Sequence, residues 1–113
     1  NMVLQLPWQW HLHEAPYDYF RYSSYALKYM FKKAGFSNIE VIPHSGYFSA
    51  TSIKLNYFLA RMIHKLPKLF LYIFAILFLP IWTVGQILAP ILDKLDSNWE
   101  VETLGYFIVA KKE

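Results

Sequence analysis

Residues 23–42 read SSYALKYMFKKAGFSNIEVI, and this stretch decides the class of fold. Ser23 is placed to cap a helix whose first residue is Ser24. Leu27, Met30, Phe31 and Ala34 recur at the spacing of one apolar helix face, while Lys28 and Lys32 lie off it. Lys32 and Lys33 fall in the last turn, where the helix dipole favours cations. Gly35 supplies the left-handed residue that ends the helix, and Phe36 falls where it can fold back onto Phe31. Residues 38–42 then read as a strand with Ile39 and Val41 on one face, ended by a turn at His44-Ser45-Gly46. A helix joined this tightly to a strand is an α/β unit.

Upstream, residues 2–6 (MVLQL) read as a short strand closed by Pro7. The chain starts at Asn1 and enters that strand at once, without a basic leader or a small-residue cleavage site, so the strand reads as already under way. Residues 7–22 (PWQWHLHEAPYDYFRY) have neither helical nor strand period and form a long loop of aromatic, imidazole and charged groups.

Downstream, residues 50–66 predict a second helix ended by Pro67. Residues 69–92 carry no formal charge, and Lys65 and Lys68 precede them. As one helix they would reach about 36 Å, enough to cross a bilayer core of about 30 Å. Pro80 stands near the middle, followed by Thr83, Gly85, Gln86 and Pro90, and predicts a break into two shorter helices. Such pieces suit a soluble cap or a membrane surface as well as a span. Residues 103–110 (TLGYFIVA) read as a closing strand, and Lys111, Lys112 and Glu113 as a solvated end.

Composition bears on the same question. Of 113 residues 56% are hydrophobic and only 17% charged, against the usual quarter. Nine Tyr, nine Phe and four Trp exceed what one small domain can hide, so some aromatic surface is expected to meet more protein, a partner or a membrane. The net charge of +3 is spread along the chain, with pairs only at Lys32-Lys33 and Lys111-Lys112. No basic arm or stripe fits a phosphate backbone, and nucleic acid is not an expected partner. Cysteine is absent, which excludes disulfides and thiol chemistry.

Polar chemistry concentrates in the loop, at His11, His13, Glu14, Tyr17, Asp18 and Arg21. His13 beside Glu14 or Asp18 suits a general base oriented by a carboxylate, since an imidazole near neutrality removes a proton from a hydroxyl or amine. Arg21 offers a planar donor fork for an acidic substrate group, or equally for Asp18, which would simply pin the loop. His11, His13 and Glu14 have ligand chemistry, but not the H-E-x-x-H spacing or an evident third strong ligand, so a metal is not expected. His44 and His64 read as a turn residue and a helix-surface residue. Phosphate-binding and nucleophile-elbow motifs are absent from the sequence.

VLQLP at residues 3–7, HEAPYDYFRYS at 13–23, KKAGF at 32–36 and LGYFIVAKK at 104–112 resemble the class I S-adenosylmethionine-dependent methyltransferases of the type 11 group. The resemblance covers nearly the whole chain, with residues 49–95 similar only as a variable apolar helical insertion. It implies an α/β fold: the C-terminal part of a Rossmann-like sheet of strand order 3-2-1-4-5-7-6, with the seventh strand antiparallel. Residues 2–6, 38–43 and 103–110 would be its fifth, sixth and seventh strands, and 1–113 a partial methyltransferase domain.

His11, Glu14, Tyr17, Asp18 and Arg21 would then lie on the substrate side with His13 as catalytic base, outside the carboxyl ends of the strands. The implied cofactor is S-adenosylmethionine, bound mainly by elements this sequence lacks, so the chain alone would be inactive. The implied partner is a small-molecule or lipid-like methyl acceptor. Membrane-surface contact through residues 66–92 is expected of a cytoplasmic, peripheral protein. The competing reading is a small membrane-associated or interaction module without catalysis.

Overall fold

The structure, a computed structural model, describes residues 1–112. The order of elements is β1 (Met2–Pro7), α1 (Ser24–Lys33), β2 (Phe36–Pro43), α2 (Tyr47–Ile63), α3 (Lys68–Asp93) and β3 (Gly105–Lys112). A 3-10 turn at Trp99–Val101 precedes β3. They form two compact units, one of Asn1–Ser45 with residues 102–112 and one of Gly46–Val101.

The first unit is a three-stranded sheet in the order β1-β3-β2, with β3 antiparallel to both neighbours. Alternation along β3 buries Tyr106, Ile108 and Ala110 on one face. Leu27 and Phe31 of α1 cover that face, and Leu4, Leu6, Ile39 and Val41 pack beside them. Each fully buried aliphatic side chain there contributes about 2–3 kcal/mol. The opposite face carries the exposed Val3, Ile42, Phe107 and Val109, with Val3 opposite Val109 and Ile42 opposite Phe107. That open face mixes these apolar side chains with the exposed Gln5 and Glu40, which lie opposite Phe107 and Val109.

Helix α1 follows its local signals. The Ser23 side chain accepts from the Ala26 N–H at 3.3 Å, Gly35 sits at φ +82°, and the Phe31 and Phe36 rings lie 5.3 Å apart. The buried stripe is narrower than the sequence predicts, because Met30 and Ala34 are exposed and only Leu27 and Phe31 reach the core. In β2 the register slips between Ser37 and Glu40, where Asn38 takes a positive φ of 49°, and this sets Ile39 and Val41 inward. Pro7 ends β1 in register with Gly105 rather than beyond the ladder. Lys111 and Lys112 belong to β3, and Glu113 lies outside the described residues.

The second unit pairs α2 with α3, and here two expectations need correction. Helix α2 starts at Tyr47 rather than residue 50 and ends at Ile63. Pro80 does not divide the apolar segment. Helix α3 runs unbroken for 26 residues with Pro80 and Pro90 inside it. Proline removes one N–H donor, but the turns on either side keep theirs, and the Thr83 hydroxyl donates to the Leu79 carbonyl at 2.8 Å.

Candidate functional site

Strand β1 hands the chain to the aromatic loop at Trp8, whose N–H donates to the Leu104 carbonyl at 2.7 Å. The Gln9 amide donates to Glu102 at 2.9 Å, and α1 takes up the chain again at its Ser23 cap. The loop between is organised around one carboxylate. Asp18, its side chain 8% accessible, accepts from Arg21 Nε at 3.1 Å, from Arg21 Nη2, and from the His13 backbone N–H at 3.2 Å. The Arg21 bond and then the His13 N–H hold the Asp18 carboxyl below its ordinary 3.8, against the opposing effect of desolvation.

His13 completes the cluster. Its Nδ1 lies 3.4 Å from Asp18 Oδ2, 3.3 Å from the His11 carbonyl and 3.3 Å from Arg21 Nη2. The two oxygens accept from a proton on Nδ1, whereas Arg21 Nη2 donates to a lone pair there; only the first tautomer leaves Nε2 its lone pair for a substrate proton. Asp18 therefore serves His13 and Arg21 together, as loop pin and as imidazole orienter. The fork of Arg21 is largely spent within the loop, since Nη2 also donates to the His11 carbonyl at 3.3 Å, while Nη1 is buried without a partner.

Of the other three residues singled out in the sequence, Glu14 and Tyr17 stand apart, whereas His11 borders the cluster, its ring edge-on to that of His13 with centroids 6.1 Å apart. His11 contributes its carbonyl, and its ring packs 4.7 Å from that of Trp10. Glu14 is exposed in a left-handed turn at φ 54°. Tyr17 is exposed against Tyr19, ring centroids 6.4 Å apart. Among the described residues, no group of three or more His, Asp or Glu side chains converges as metal ligands.

Sequence reasoning missed a second cluster, where β2 ends beside the start of β3. Thr103 is fully buried; its Oγ1 accepts from the His44 and Ser45 N–H groups at 3.1 and 3.2 Å and donates to the Gly105 carbonyl at 2.8 Å. The His44 ring packs on Phe107 at 4.2 Å, and its Nε2 is buried without a partner. Burial pushes His44 below its ordinary 6.5, partly opposed by a backbone hydrogen bond at Tyr106. The unfolded chain then binds this proton more readily than the folded one. Stability from His44 is complete above pH 6.5 and declines as pH falls through the lowered folded value. His44→Phe is expected to flatten that dependence, read as urea midpoints at about pH 7.5 and about pH 5.

The helix pair joins small and polar groups along one part of its seam. The seam carries Ser49, Ser52 and Asn56 of α2 against Gly85, Gln86 and Ala89 of α3, and Gln86 Nε2 donates to Ser52 Oγ at 3.0 Å. Further along, Leu59, Ile63, Phe74, Phe78 and Trp82 line an apolar cleft of about 420 Å³. The exterior of α3 is Leu, Ile, Val and Phe, and none of its most apolar 18-residue window is buried. Small and polar groups in part of the seam, with apolar groups outside, match helices packed in lipid, while the cleft end of the seam is itself apolar. This helix is long and apolar enough to cross or lie against a membrane.

Asp93, buried at the end of α3, accepts from the N–H groups of Gly46 at 3.0 Å, Phe48 at 2.8 Å and Ser49 at 3.3 Å. The sequence signal for it is indirect: Gly46 is an N-cap without a side chain, so any side-chain acceptor for this helix start comes from elsewhere. This bears on S-adenosylmethionine. Among the described residues, His44-Ser45-Gly46 is the one place where a strand passes through glycine into a helix, and Asp93 already fills that helix terminus. That terminus is therefore already occupied, and no step through the cofactor follows from the described residues.

Comparison with protein-family models, curated proteins and solved structures finds no match to this chain.

Proposed function

We propose that this chain is the membrane-associating C-terminal portion of an S-adenosylmethionine-dependent methyltransferase acting on a small or lipid-like acceptor. The observation that carries the catalytic half is the position of β3, inserted antiparallel between β1 and β2. That arrangement is the one strands five, seven and six have in the resembling fold. The exposed Val3, Ile42, Phe107 and Val109 on the open face of the sheet add support, because doubly wound sheets bury both faces. On this reading the loop at residues 8–22 borders the acceptor, His13 takes its proton, Asp18 holds the imidazole, and the cofactor sits on strands beyond these residues.

The test is methyl transfer by the intact polypeptide that carries these residues. His13→Ala is expected to lower kcat about 100-fold or more, with cofactor affinity unchanged. Unaltered turnover would remove His13 from the chemistry. A polypeptide that neither binds nor turns over S-adenosylmethionine would remove the methyltransferase reading itself.

A second reading, a membrane-associated module without catalysis, rests on the more direct observation: the lipid-type polarity of α2 and α3. Liposome binding with no cofactor binding by the intact polypeptide would favour it.

A further inference from the structure

We propose that the α2–α3 hairpin is an anchor selective for anionic phospholipid, which rests on the membrane half of the preceding reading and adds the headgroup. The chain holds eight acidic residues, and none lies within residues 41–92, whereas Lys54, Arg61, Lys65 and Lys68 do. Three of those four cations, with His64, fall between residues 61 and 68, where α2 ends and α3 begins. All four are exposed, and the ion pairs of the described residues join Arg21 and His13 to Asp18, not Arg61, Lys65 or Lys68 to an acid.

The apolar surface beside them is continuous. Leu69, Phe70, Tyr72 and Ile73 follow Lys68 along α3 and are all exposed. On α2, Lys54 and Arg61 are seven residues apart and share a face, about half a turn round from the seam residues Ser52, Asn56 and Leu59. Exposed Leu, Ile and Phe enter the acyl region, and the cations next to them stay at headgroup level, their stems lying along the apolar surface. A zwitterionic surface would reward only the first of these. An anionic one adds attraction at each cation, about fivefold in partitioning per residue near the surface. An acidic protein groove would meet the cations equally well but would leave 26 residues of apolar helix in water.

The full chain, mixed with vesicles of phosphatidylcholine alone or with about one third phosphatidylglycerol, is separated by flotation at low and high salt. The expected result is at least tenfold stronger partitioning to the anionic vesicles, with most of the difference removed by salt. The double substitution K65E/K68E, in the exposed turn and first residue of α3, is expected to abolish the preference and leave neutral-vesicle binding unchanged. Equal binding to both vesicles, or a preference untouched by the double substitution, overturns the headgroup selectivity while leaving membrane association standing. Failure to float with either vesicle overturns both.

Discussion

Gly105→Ala is expected to cost the sheet unit about 3 kcal/mol and to remove hydrogen-exchange protection along β1. A Cβ at residue 105 would lie 2.5 Å from the Leu6 carbonyl oxygen, 3.2 Å from Pro7 Cα and 3.3 Å from the Leu6 carbonyl carbon. All three are backbone atoms, so no rotamer change relieves the clash. The other side of Gly105 gives no room either, because its carbonyl accepts from the His44 N–H at 3.0 Å and the Thr103 hydroxyl at 2.8 Å. The strands must separate where β1 ends, and the Trp8–Leu104 bond that starts the loop is lost with them. A thermal midpoint unchanged within a degree or two would show that β1 and β3 are not this close.

Asp93→Ala has the second large effect, on the helix pair. Three N–H groups of the first turn of α2 lose their acceptor at once, at a cost of about 3 kcal/mol. Gly46→Ala should act on the same contact, since its Cβ would lie 2.7 Å from Asp93 Cγ. The two substitutions are therefore expected to be strongly non-additive, with Gly46→Ala costing little once the carboxylate is gone. Helicity in detergent, followed through a thermal melt, measures all three variants. Additive losses would mean that Asp93 does not cap α2.

How much of this was legible in the sequence divides along chain separation. Helix α1 was written locally: Ser23, Gly35 and the Phe31–Phe36 contact all lie within a few residues of its ends. Met30 and Ala34 obey the same period yet stay exposed, because period marks a face without showing what covers it. The persistence of α3 through Pro80 also escaped the local rule, since one missing donor cannot outweigh the intact hydrogen bonds of the turns around it. The Asp93 cap reaches across 47 residues of sequence, beyond any spacing argument.

In the loop, composition located the chemistry but could not choose His13's carboxylate. Glu14 is its neighbour, yet a left-handed turn carries Glu14 outward, and it is Asp18, drawn in by Arg21 and the His13 N–H, that reaches the imidazole. His44 read only as a turn residue, because its depressed proton affinity comes from burial, with Phe107 packed on its ring, which no neighbouring residue announces.

The central place of β3 has a consequence in time. Its partners in β1 precede it by about a hundred residues, as Leu6 does Tyr106, whereas α2 and α3 are joined by a short turn. On the ribosome the hairpin is complete before β3 has been made, and at about 5–20 residues per second the inserted unit alone takes several seconds to emerge. For that interval β1 and β2 exist without the strand that joins them, each with unpaired edges. If the hairpin has already found a bilayer by then, the nascent chain is tethered when its last strand arrives, and the sheet closes at the membrane rather than free in solution.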